Sequence, residues 1–91
     1  MDIQHSEGDK KFFMLIGGEE AQLLYRKDGK TIDISRVFVP EAARGQGLAE
    51  QLALAAFAWA KKYGYSIVPT CPYIRDTFLK KHAELRILVA R

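Results

Sequence analysis

Between residues 37 and 49 the chain reads Val-Phe-Val-Pro-Glu-Ala-Ala-Arg-Gly-Gln-Gly-Leu-Ala, and this run constrains the fold more than any other. A β-like stretch ends at Pro40, a glycine-rich loop follows, and a long alanine-rich segment begins. The order is strand, loop, helix. The first turn of a helix leaves backbone N–H groups without intrahelical partners, and the aligned peptide dipoles put partial positive charge there, which favours an anion. Gly45 and Gly47 let a ligand approach the backbone closely, and Arg44 adds a full charge with a planar donor fork. A glycine-rich turn of this kind also serves as a plain tight connection with Arg44 in solvent. The common nucleotide signatures are absent: there is no Gly-x-x-x-x-Gly-Lys-Ser/Thr, and the Gly-x-Gly at 45–47 is followed by Glu50 where a dinucleotide fingerprint needs a third small residue. Phosphate binding fits; ordinary P-loop or Rossmann binding does not.

With 91 residues the chain is read as one domain, 1–91, with residues 1–9 expected to be flexible. The 48% hydrophobic and 27% charged composition is that of a globular protein rather than a disordered one. The net charge of +3 is uneven. Residues 1–35 hold five Lys/Arg against seven Asp/Glu, and residues 36–91 hold nine against four, so the second part attracts anions. No basic run exceeds a pair and no aromatic-interleaved RNA-binding motif occurs, which argues against nucleic acid. Cys71 is the single cysteine, and the start carries no cationic, hydrophobic leader, so the expected compartment is a reducing cytoplasm. The apolar run at 11–18 is too short to span a bilayer, and no membrane association is expected.

Residues 11–17 and 20–27 form the two arms of a predicted hairpin about Gly17-Gly18-Glu19. A third strand is predicted over 30–39, with Ile32, Ile34, Arg36 and Phe38 on one side and Thr31, Asp33, Ser35, Val37 and Val39 on the other. From Gln46 to Tyr63, Leu48, Leu52, Ala55, Ala56, Trp59 and Tyr63 recur at helical spacing, six alanines between 49 and 60 favour helix, and Gly64 ends it. Trp59 reads as core. Tyr65–Thr70 reads as a short buried strand, reached by a right-handed crossover and therefore parallel to the third strand or part of a mixed sheet. Pro69 and Pro72 keep Thr70-Cys71 extended, a short helix is predicted over 73–82, and 85–90 fits either a final strand or a frayed terminus. The ends Phe38-Val39 and Thr70-Cys71 then lie side by side, where α/β sheets take ligands.

Arg44-Gly45-Gln46-Gly47-Leu48-Ala49, after the Val-x-Val-Pro strand end, matches the Arg/Gln-x-x-Gly-x-Gly/Ala signature of the GNAT N-acetyltransferases. Together with Val-Pro-Thr-Cys-Pro-Tyr-Ile at 68–74 and Lys-Lys-His-Ala-Glu-Leu at 80–85, the chain resembles the short, single-domain GNAT-like enzymes with a Pro-x-Cys-x-Tyr segment, over nearly all its length after residue 12. The resemblance implies an α+β fold with a mixed, mainly antiparallel sheet, one long helix and one or two short ones. It also implies acetyl-coenzyme A as the cofactor, its pyrophosphate on the amides of residues 44–49 (Arg44, Gly45, Gln46, Gly47, Leu48, Ala49) and its pantetheine arm beside Phe38 and Val39. Members of that group often carry His at the position of Arg36 and His-Pro-Glu-Tyr where this chain has His82-Ala83-Glu84-Leu85.

Acetyl transfer to an amine needs a neutral amine, a polarised thioester carbonyl and a proton for the leaving thiolate. Tyr73 is the candidate proton donor, unless it only packs at a helix start, and backbone N–H groups near Val39 are candidates to polarise the carbonyl. Cys71 is a candidate nucleophile, or else a buried apolar residue. His82, Glu41 and Asp33 are further candidates for proton transfer. The leading expectation is an acetyl-coenzyme A-dependent N-acetyltransferase acting on an unidentified amine of a small molecule or protein. The alternatives are a non-catalytic coenzyme A or acyl-coenzyme A binding module, and an interaction protein using its basic second half. A monomer or weak homodimer is expected, given strand edges open to self-pairing.

Overall fold

The computed structural model describes residues 2–90. Its five strands are β1 (Gln4–Ser6), β2 (Lys11–Ile16), β3 (Glu19–Asp28), β4 (Thr31–Phe38) and β5 (Ser66–Val68), joined into one sheet in the order β1-β2-β3-β4-β5. The first four run antiparallel, and β5 pairs in parallel with β4 after the crossover through helix α1 (Leu48–Tyr63). A mixed, mainly antiparallel sheet with one long helix is the architecture expected from the sequence.

Strand alternation sends Phe12 and Met14 of β2, Ala21, Leu23 and Tyr25 of β3, and Ile32 and Ile34 of β4 to a single face, where all are buried. On β4 this alternation breaks. Leu24 pairs with Arg36 but Tyr25 pairs with Ile34, so Ser35 is an extra residue and the strand bulges there. The bulge hands the inward face from Ile34 to Val37, which pairs opposite buried Leu23, and turns Arg36 outward with its guanidinium over the Phe38 ring at 5.5 Å. The imperfect alternation expected of this strand, which put Phe38 and, as an option, Arg36 on the side of Ile32 and Ile34, is therefore corrected beyond residue 35.

Helix α1 lies on the apolar face. Its buried residues are Leu48, Leu52, Ala53, Ala56, Phe57 and Ala60, a stripe shifted from the expected one: Ala53, Phe57 and Ala60 are covered, while Tyr63 is 54% exposed. The shift arises because two elements cover the helix. The sheet takes one flank, and the segment after β5 takes another, with the Phe57 and Phe78 rings 5.1 Å apart. Alanines let α1 sit close to the sheet, and Tyr65 N–H closes its end by donating to the Ala60 carbonyl (2.8 Å).

Tyr73–Phe78 forms a π-helical turn, widened so that Leu79 N–H donates to the Ile74 carbonyl, and it runs directly into a short α2 (Leu79–Lys81). Ala83–Leu88 is a 3-10 turn. Val89 then bridges Ile67 in parallel, and Ala90 N–H donates to the Ile67 carbonyl (2.7 Å), so the segment for which strand and frayed end were both open is a turn followed by a single bridge.

Within the stretch 1–9 expected to be flexible, residues 4–6 form a strand on β2 beside an aromatic cluster. The His5 ring stacks on Phe12 at 3.9 Å, meets the edge of Trp59 at 4.6 Å and hydrogen-bonds the Tyr25 hydroxyl through Nε2 at 2.6 Å. Burial lowers the His5 pKa and pushes the Tyr25 phenol up to about 12.

Phe57→Ala should cost about 3–5 kcal/mol, because it empties the contact between α1 and the π turn. Leu54→Ala, on the exposed side of α1, should change stability by about 0.5 kcal/mol or less. Urea unfolding of the two variants checks the difference, and equal midpoints would contradict this packing.

Candidate active site

β4 and β5 stay hydrogen-bonded only from Thr31–Ser66 to Asp33–Val68. One further main-chain bond, Cys71 N–H to the Ile34 carbonyl (2.9 Å), closes the junction, and beyond it the bulge carries β4 away. Between the end of β4, the start of α1 and the π turn lies a cleft of ≈ 470 Å³, within the usual size of small-molecule sites. One wall is the end of β4, Val37 to Val39. The floor is the loop and first turn of α1, with Arg44, Gly45, Gly47, Leu48 and Ala49. The opposite wall is the π turn and α2, with Tyr73, Thr77, Phe78 and Lys81.

The loop is shaped by backbone conformations that suit glycine. Gly45 and Gly47 have φ of 84° and 74°, and a Cβ at either position would meet nothing within 4 Å, so both face open space. Gly47 is the N-cap, and no side chain among the described residues caps the helix. The first intrahelical bond is Gln51 N–H to Gly47 carbonyl (3.1 Å). Among the described residues, no backbone or side-chain acceptor takes the N–H groups of residues 45–50. Arg44 Nε donates to the Val39 carbonyl (3.0 Å), which ties the loop to the end of β4. Among the described residues no carboxylate pairs with its guanidinium.

Of the residues singled out from the sequence, Phe38, Val39, Arg44, Gly45, Gly47, Leu48, Ala49 and Tyr73 meet in this cleft. Gln46 is exposed and outside its lining. Cys71 is not brought in: it is 5% exposed, joins the core cluster, and its main chain meets β4 at Ile34, four residues before Phe38. The expected side-by-side placement of Thr70-Cys71 with Phe38-Val39 is thus offset along the strand. Asp33 and Glu41 also lie outside the lining.

Tyr73 is half-buried in the cleft wall. Burial raises its pKa, with the Glu50 carboxylate and Cys71 adding to the rise, so the phenol keeps its proton at neutral pH. Three neighbours escaped sequence reasoning, although each had a signal. Thr77 and Lys81 fall four and eight residues after Tyr73, on the same side of a helix. Glu50, read only as a residue that spoils a dinucleotide fingerprint, occupies the third helical position, where carboxylates commonly cap. Here Glu50 Oε2 bonds His82 Nε2 at 2.6 Å and Lys81 Nζ at 3.1 Å. The hydrogen bond with His82, and then that from Lys81, hold its carboxyl below the usual carboxylate range.

Comparison with known proteins agrees with this geometry. The sequence profile of the GCN5-related N-acetyl-transferases matches residues 11–88. The chain belongs to that family. The N-acetyltransferase domain so defined runs from β2 to the last 3-10 turn and contains every cleft residue. Similar relatives include Protein NATD1 of Danio rerio, 34% identical over 89 residues, which cover 94% of this chain and 80% of the relative. Protein NATD1 of Xenopus tropicalis is 34% identical over 76 residues, 80% of this chain and 70% of the relative, and that of Homo sapiens is 34% identical over 76 residues, 80% and 67%. In this N-acetyltransferase domain, no helix among the described residues is long and apolar enough to cross a membrane.

Because the folded state holds Glu50 below its ordinary pKa of 4.5, the unfolded chain takes up that proton first as pH falls, and the stabilisation present at higher pH is lost through the acid range. Melting temperatures recorded between about pH 6 and pH 3 should therefore fall more steeply for the native chain than for Glu50→Gln, with the gap closing at the acid end. Parallel curves would contradict the contact.

Proposed function

We propose that this chain is an acetyl-coenzyme A-dependent N-acetyltransferase, with its cleft between the β4 end and the π turn as the acyl-donor site. The observation that carries the reading is the run of amides from 45 to 50, which have no acceptor among the described residues, with Gly45, Gly47, Leu48, Ala49 and Glu50 of that run lining the cleft beside Arg44. A diphosphate suits such a group of donors, since helix dipole, glycine backbone and guanidinium all favour negative charge at one place. Gly45, Gly47, Leu48 and Ala49 would hold it through the main chain and Arg44 through its remaining N–H groups, and the apolar Val37–Val39 edge would take the arm. Acetyl-coenzyme A, when bound, supplies the activated acyl group and a thiolate that must be protonated on leaving.

The chain's own part is to position and to move a proton. The end of β4, paired with β3 but open on its other edge beyond Ile34, gives the arm a straight edge to follow, as an added strand would use it. Tyr73, protonated at neutral pH and set in the wall opposite that edge, is the proton donor. Cys71, in the core and outside the lining, supports the wall by packing and by accepting Arg75 N–H (3.0 Å) at its carbonyl. The acceptor is an amine entering from the open side of the cleft. A binding module without catalysis would share every feature except the demand for Tyr73.

Acetyl-coenzyme A should raise the melting temperature of the native chain, and Ala49→Asp should abolish the rise. An aspartate in the first turn suits the helix dipole, so this variant keeps its fold while competing with the ligand's phosphates. With any amine that is acetylated, Tyr73→Phe should lower kcat about 100-fold, whereas Cys71→Ala should stay within about threefold. No stabilisation by acetyl-coenzyme A would overturn the reading; stabilisation with full activity in Tyr73→Phe would remove the proposed acid.

A further inference from the structure

Glu50 occupies the position from which a carboxylate in a capping box reaches back to the N–H of its own N-cap residue, here Gly47. In this chain it does not. Its carboxylate is drawn to the far wall, where His82 Nε2 at 2.6 Å and Lys81 Nζ at 3.1 Å hold it, and Gly47 N–H has no acceptor among the described residues. The holding group is well fixed. His82 is 20% exposed on its side chain, its ring lies 4.7 Å from that of Phe78, and its Nδ1 is 3.8 Å from Glu84 Oε2. Lys81 is 69% exposed and weaker as an anchor.

We propose that His82, assisted by Lys81, is a positioning residue that holds Glu50 off the start of α1, so that the amides from 45 to 50 remain free for an anionic ligand. The negative charge of Glu50 sits in the turn that must receive phosphate, and two outcomes compete for it. Folded back, it satisfies Gly47 N–H and places a carboxylate among the donors; held by His82, its oxygen is hydrogen-bonded elsewhere and directed away. The same contact ties the start of α1 to the end of α2, so it fixes the two sides of the cleft relative to each other. The proposal rests on the reading of this cleft as an acyl-coenzyme A site for its consequence, but not for its geometry.

The test uses two readouts on the native chain, His82→Ala, His82→Gln, Glu50→Ala and the double variant Glu50→Ala/His82→Ala. Without ligand, hydrogen exchange of the Gly47 amide should slow about fivefold in His82→Ala, as the released carboxylate caps it. It should stay near the native rate in His82→Gln, which keeps a donor for Glu50, and in the double variant, which has no carboxylate to release. With acetyl-coenzyme A, His82→Ala should bind about fivefold more weakly than the native chain, and removing Glu50 as well should restore the affinity. Equal losses from His82→Ala with and without Glu50 would mean that His82 only packs, and would overturn the proposal. If the exchange pattern holds but the native chain does not bind acetyl-coenzyme A, the positioning role stands and the functional reading fails.

Discussion

β4 is paired with β5 over three residues and then leaves it, and most of what this small molecule can do follows from that divergence. Two parallel strands that stayed in register would close the sheet and leave the helix start facing a flat surface. The extra residue at Ser35 prevents this. Val37 replaces Ile34 there as the inward side chain, so the core remains covered while the end of β4 stays paired with β3 and is left open on its β5 side. The sheet thus keeps its packing on α1 and opens only at the end where the loop delivers its amides.

Electrostatics then give the opening a sign. The helix start, Arg44 and Lys81 make the cleft attractive to anions, against one lining carboxylate, Glu50, which is engaged by Lys81 and the His82 ring on the far side. Nothing in this arrangement needs a large core. The donors are mostly main chain, held in place by the fold itself, which is economical in a chain of 91 residues. The side chains that remain to be placed are few, and the π turn places several of them at once, from Tyr73 to Phe78.

The parts of the fold that follow from local chemistry were legible in the sequence. The glycine-rich junction, the long alanine-rich helix, its stop at Gly64 and the parallel partner strand are written in residue types that tolerate few other conformations. What escaped depends on contacts between distant segments. The bulge at Ser35 is a matter of register against β3, invisible in a strand read alone. The flank of α1 at Ala53, Phe57 and Ala60 is apolar because Phe78 covers it, and no helical periodicity shows where a later segment will dock. His5, in a leader of polar composition, sits among three aromatic rings brought from elsewhere in the chain. In the site, the loop residues were found because their signal is contiguous, whereas Glu50, Lys81 and His82 come together across some thirty residues of chain. Cys71 had the composition of a nucleophile and the neighbours of a core residue, and only its burial separates the two.

The free amides at the mouth of α1 are tested most directly by a residue-by-residue NMR titration with acetyl-coenzyme A. The largest saturable shifts should fall on the amides of residues 45–50, with a second set along Val37–Val39 and Tyr73, and little change in the His5 cluster. Shifts absent from residues 45–50, or concentrated on the opposite edge of the sheet, would contradict it.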